Sequence, residues 1–335
     1  MRVAHPFGYR VSWSAGMLAL ALAALAPQPG RAAEEDNKTE KILYTGIAKD
    51  GKTVSIYAMN ADGSKPTKLT KGDGMEIDPA LSPDGKKIAF VVVNKEEKKG
   101  DIYVMNADGS GRKRLLEGDG KNMPMAPVWS PDGKRIVYSV LKMEDNKPPE
   151  DSSIMVMDAD GKNSKRLADG LMPAWSPDGK KIVYTVLKRA KDFEPRLHVM
   201  DANGKNAKRL IDGRAMMGLY SPDGKRIVYM GAPEGDRPMP SIYVANADGT
   251  NAKQLTKDEA FDLSPRWSAD GKRIYFNRMA GGGGPSDNAA IYVMDAEGKN
   301  VKKLSKGEGM NLLRGAAMFM LSRGEVKKSE EPKKD

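Results

Sequence analysis

The sequence predicts an all-β fold, a six-bladed β-propeller with four antiparallel strands per blade, and three observations predict it. One hairpin pattern recurs as LSPDGKKIAF at Leu81, WSPDGKRIVY at Trp129, WSPDGKKIVY at Trp175, YSPDGKRIVY at Tyr220 and WSADGKRIYF at Trp267. A second recurs as IYAMNADG at Ile56, IYVMNADG at Ile102, IMVMDADG at Ile154, LHVMDANG at Leu197, IYVANADG at Ile242 and IYVMDAEG at Ile291. Successive copies lie roughly 43–52 residues apart, the period of a propeller or solenoid.

The chemistry of each repeat explains its shape. In Ser82-Pro83-Asp84-Gly85, Pro presets φ, Asp suits the second turn position and Gly accepts the left-handed conformation that ends the turn. Apolar residues flank it, so it joins two strands. Asn106-Ala107-Asp108-Gly109 makes the next hairpin by the same means. Two hairpins give four strands, one propeller blade. The repeated Met59, Met105, Met157, Met200 and Met294 fill irregular gaps between blades.

The chain ends complement each other. Lys41-Ile42-Leu43-Tyr44-Thr45 matches a second strand without its first, and Met318–Gly324 matches the missing first strand. Glu308-Gly309-Met310 also echoes Asp73-Gly74-Met75 before the first complete hairpin. Pairing of the N- and C-terminal strands is therefore expected to close the ring and remove free edges. The propeller spans 41–324, and the lysine- and glutamate-rich tail 325–335 reads as disordered.

Residues 1–32 read as a signal peptide. Arg2 and Arg10 precede an apolar stretch, Ala15–Ala26, that is too short to span a bilayer. Gly30 and Ala32 suit the small positions of a cleavage site. No later segment could span a membrane, so a periplasmic or secreted location is expected. The net charge is +10, but Lys and Arg are interspersed with Asp, which indicates a solvated surface and no nucleic-acid partner. The sequence has no cysteine, which excludes disulfides, thiolate metal sites and a Cys nucleophile.

The W-S-P-D-G-K-x-I-x-Y hairpin followed by I-Y-V-M-N-A-D-G resembles the TolB-type propeller repeat, a WD40-like repeat, over nearly all of 41–324. The Gly-His and Trp-Asp marks of WD40 repeats and the diglycine of kelch blades are missing. The resemblance implies a periplasmic propeller that binds proteins or peptides at its channel mouth. It departs from TolB in one respect. TolB carries an α/β domain before the propeller, whereas here only Glu34–Glu40 separate the expected cleavage region from the first strand.

A site is expected on the face that carries the blade-to-blade segments and the loops joining second and third strands. Methionines Met75, Met123, Met125, Met172, Met216, Met217 and Met310 fall in the blade-to-blade segments. They suit either an adaptable apolar surface or simple packing of the channel, and Cu(I) binding around Met123-Pro124-Met125 is a third reading. Glu76, Asp78 and Asp262 could meet a cation, whereas Arg196, Arg214, Arg237 and Arg314 could meet carboxylates or phosphates.

The inventory for catalysis is thin. His5 lies in the leader, and His198 occupies the slot that Tyr holds in most IYVM copies. No G-x-S-x-G or H-E-x-x-H motif occurs. The sequence therefore points to a monomeric, cofactor-free scaffold that binds an envelope protein or peptide. A carbohydrate-active or metal-dependent propeller enzyme is the alternative.

Overall fold

The computed structural model describes residues 40–48, 53–72, 74–94, 99–142, 152–189, 193–232, 239–257, 260–279, 289–305 and 309–314. The expected signal peptide, the tail, Arg237 and most of the loops between second and third strands lie outside these residues.

The described chain is all strand and turn, built as successive antiparallel meanders. Strands β1 (Lys41–Ile47), β2 (Val54–Asn60) and β3 (Thr67–Lys68) come first. Strands β4 (Met75–Leu81), β5 (Lys87–Asn94), β6 (Lys99–Asn106) and β7 (Lys113–Leu116) form the next meander. It is followed by β8 (Asn122–Trp129), β9 (Arg135–Lys142), β10 (Ser152–Asp158) and β11 (Lys165–Asp169). Next are β12 (Leu171–Trp175), β13 (Lys181–Arg189), β14 (Phe193–Asp201) and β15 (Lys208–Arg209). Then come β16 (Ala215–Tyr220), β17 (Arg226–Gly231), β18 (Ser241–Asn246) and β19 (Lys253–Gln254). The last meander has β20 (Phe261–Trp267), β21 (Arg273–Met279), β22 (Ala289–Asp295) and β23 (Lys302–Lys303), and β24 (Met310–Leu312) ends the described chain.

Four of the sheets hold four strands each. The fifth holds eight, because the single parallel bridge Val54–Met75 joins the meander of β1–β3 to that of β4–β7. In this larger sheet β24 lies beside β1, with Leu312 opposite Thr45 and Met310 opposite Ile47. Met310–Leu312 thus meets β1, and Met318–Gly324, the run expected there from sequence, lies outside the described residues. Gly309-Met310, which opens this strand, is a copy of Gly74-Met75.

Neighbouring meanders interlock at repeated points. The indole N–H groups of Trp129, Trp175 and Trp267 donate to the carbonyls of Ala80, Val128 and Leu219 at 3.2, 3.3 and 3.2 Å. Each tryptophan thereby ties its own first strand to that of the preceding meander, and Arg135 and Arg226 stack over Trp175 and Trp267. The aromatic pairs Tyr44–Tyr57, Phe90–Tyr103, Tyr229–Tyr243 and Phe276–Tyr292 recur between second and third strands. His198 takes the same place against Tyr184, at 5.8 Å between ring centroids, as its position in the repeat implies. The outer strands β3, β7, β15 and β23 are short and carry exposed Lys or Arg, which protects them from pairing with other chains.

Candidate functional site

Each complete first strand carries a bulge near its middle. A residue with positive φ sits in each: Asp78 (62°), Ala126 (55°), Met172 (58°), Met217 (58°) and Ser264 (52°). Non-glycine residues adopt this left-handed conformation rarely, so its recurrence marks an imposed geometry. The bulge gives up a ladder hydrogen bond, and at three of the five the second strand of the preceding meander supplies a replacement. The N–H of Asp78 donates to Thr45 Oγ1 at 3.4 Å, that of Met172 to Ser139 Oγ at 2.9 Å and that of Met217 to Thr185 Oγ1 at 3.3 Å. Asn277 does the same across the chain ends: its Oδ1 accepts from the N–H of Leu313 at 2.7 Å, and its Nδ2 donates to the carbonyl of Asn311 at 2.8 Å. Thr45, Ser139, Thr185 and Asn277 occupy the same step of KILYT, RIVYS, KIVYT and RIYFN, so the signal was present in the sequence.

These bulges bring two kinds of surroundings together. Ala126, Met172 and Met217 are buried in one apolar cluster with Met75, Met123, Met125 and Met216. Met310 is half-buried against that cluster. Of the readings open to this methionine set, packing is the one its burial favours. Arg214, at the entry to β16, is half-exposed.

The predicted carboxylates do not converge into a cation site; each faces arginine instead. Glu76, fully buried, accepts from Arg112 Nη1 at 2.7 Å, and its other oxygen accepts from the N–H of Gly72 at 2.9 Å. Asp262 meets Arg278 through two parallel bonds of 2.8 Å, and Arg278 lies over the rings of Phe276 and Tyr292. Asp78 acts on Arg314 electrostatically. Arg314 Nη2 donates to the carbonyl of Pro127 at 2.9 Å, which links first strands of meanders that are not neighbours in sequence. Arg196 pairs with Glu194. Among the described residues no group of three or more His, Asp or Glu is placed to hold a metal ion.

Arg266 was missed from sequence. It occupies the slot that Ala80, Val128, Ala174 and Leu219 fill in the other copies, and this break in an apolar series was the available signal. It is buried, its Nη1 donates to the carbonyl of Leu43 at 3.4 Å, and burial lowers its pKa against the pull of Glu40. Burial lowers the pKa of Arg314 further; Asp78 opposes that shift and Arg266 adds to it. Burial pushes Tyr44, Tyr220 and Tyr229 up to about 12, so these phenols stay neutral and serve packing.

Residues 38–148 and 135–325 match the TolB β-propeller domain. The chain belongs to that family. Solved structures similar to it include TolB from Acinetobacter baumannii, at 22% identity and a TM-score of 0.68, with 82% of this chain and 66% of that one covered. A putative TolB from Agrobacterium tumefaciens is similar at 21% identity and a TM-score of 0.58, covering 83% of this chain and 91% of that one. The oligogalacturonate lyase of Vibrio parahaemolyticus shares the fold at 13% identity and a TM-score of 0.57, covering 88% and 79%. No curated protein sequence matches the chain. This TolB-family chain spans just under two thirds of the Acinetobacter protein. Among its described residues no helix is long and apolar enough to cross a membrane.

Proposed function

We propose that the chain is a closed six-bladed propeller of the periplasm or extracellular space, acting as a non-enzymatic scaffold that binds an envelope protein or peptide. Six meanders of four strands follow when β24 is counted with β1–β3, and the β1–β24 pairing supports closure. The observation that carries the binding role is the two-sided set of residues at the bulges of the first strands. Ala126, Met172 and Met217 make its apolar arc, and Asp78, Arg266 and Arg314 make its charged arc. Repeating turns build the opposite end and offer nothing distinctive. Family membership favours the same face, because the TolB resemblance implies binding at the channel mouth. The buried residues form the floor, and the half-exposed Arg214 and Met310 stand where a partner would meet it.

The test is capture of a partner from envelope extract. Arg214→Glu is expected to abolish capture, whereas Lys165→Glu on the outer strand β11 leaves it intact; capture indifferent to Arg214→Glu would place the partner elsewhere. The enzyme reading draws on the fold shared with oligogalacturonate lyase. A lyase of the manganese-bound kind in that group needs ligands that this chain would have to assemble from carboxylates and His198. Turnover of oligogalacturonate with added manganese would favour it over the scaffold.

A further inference from the structure

The charged arc is not electrically balanced. Glu76 pairs with Arg112, and Asp262 with Arg278. Asp78 and Arg266 both act on the charge of Arg314, the one opposing the effect of its burial and the other adding to it. Adding Glu40 leaves the sum unchanged, because Glu40 has its own cation in Arg273 at 3.6 Å, besides accepting from the Tyr275 hydroxyl and the N–H of Ala269. The cluster carries one positive charge in excess, with Asp78, Arg266 and Arg314 all at most 7% exposed. Arginine keeps its proton, so the excess cannot be relieved by titration. Arg314 spends only Nη2 on the carbonyl of Pro127; its Nε and Nη1 are buried and make no hydrogen bond among the described residues. A buried guanidinium with two idle nitrogens calls for an acceptor carrying negative charge.

We propose that Arg314 and Arg266, with Asp78 acting on Arg314, form an anion site for a small carboxylate such as formate or acetate. The carboxylate accepts the hydrogen bonds that Arg314 leaves unmade and brings the cluster to neutrality. Burial limits the ligand to a few atoms. The proposal rests on the bulge residues of the scaffold reading but needs no partner, so anion binding and partner capture can fail separately.

The experiment is thermal unfolding of the full chain at constant ionic strength, with the bulky anion gluconate replaced stepwise by formate. Wild type is expected to gain about 3 °C in Tm, saturably, when formate reaches roughly tenfold its Kd. Asp78→Asn, which retains a residue tolerant of positive φ, should start lower and gain more from formate, because Arg314 then lacks the carboxylate that acts on it. Arg314→Met should gain nothing. The proposal is overturned if wild type does not respond, if wild type and Arg314→Met rise equally, or if only Asp78→Asn responds. Should Arg314→Met fail to fold, the comparison of wild type with Asp78→Asn decides.

Discussion

Gly63 packs directly on the backbone of Leu304, joining the first meander to the last. A Cβ on Gly63 would lie 2.5 Å from the Leu304 carbonyl oxygen. The same relationship links Gly161 to Leu115 and Gly204 to Leu167 in successive meanders, so the Gly63 contact continues that series across the chain ends. Gly63→Ala should therefore cost about 3 kcal/mol or more, from a left-handed φ and a backbone clash together. Gly85 has a similar φ of 70° with nothing within 4 Å, so Gly85→Ala should cost about 1 kcal/mol. Chemical denaturation measures the difference, and equal losses would mean that the two ends do not meet in solution.

The polar side chains behind the bulges should be worth more than their number suggests. Ser139→Ala removes the acceptor for the buried N–H of Met172. Leaving that donor unmet should cost about 1–3 kcal/mol. Thr185→Val is the isosteric counterpart for Met217, with its longer bond, and should lose less. Calorimetry that found both variants as stable as wild type would show that the bulges draw on other acceptors.

Asp262→Asn should destabilise by about 2–4 kcal/mol, since it strips a buried carboxylate from its bidentate arginine. Arg166 and Asp169 form an exposed pair on β11, and Asp169→Asn should change stability by less than about 0.5 kcal/mol. Urea midpoints compare them directly. A ranking in the opposite order would remove the structural role given to Asp262.

Acid should expose the turn carboxylates. Ser221 Oγ donates to Asp223 Oδ1 at 2.6 Å and, with the N–H of Lys225, holds that carboxyl below its ordinary range; Ser82 does so for Asp84. A folded carboxyl that titrates below its unfolded value contributes fully above about pH 4 and loses that contribution as pH falls through the folded value. Ser221→Ala should thus be most destabilising at neutral pH. The gap to wild type should shrink in acid to the share due to the bonds of Ser221 with Arg226. A gap independent of pH from 7 to 2 would remove the carboxylate from the account.

What the sequence determined by itself was local and repeated. SPDG and NADG turns, apolar strands and the Tyr slot taken by His198 were legible because each depends on a few neighbouring residues whose φ preferences and burial are intrinsic. Even the slot of Asn277 and the break at Arg266 could be read by aligning the copies. Tertiary structure alone decided which long-range groups meet. It set Met310–Leu312 beside β1, with Leu312 opposite Thr45 and Met310 opposite Ile47. It turned the methionines of the expected mouth inward, since the bulges tilt Met172 and Met217 into a shared core. It also gave Glu76 and Asp262 arginine partners and left Arg314 with two idle nitrogens. Charge balance at a buried point sums over residues hundreds of positions apart, and only the folded chain brings them into one sum.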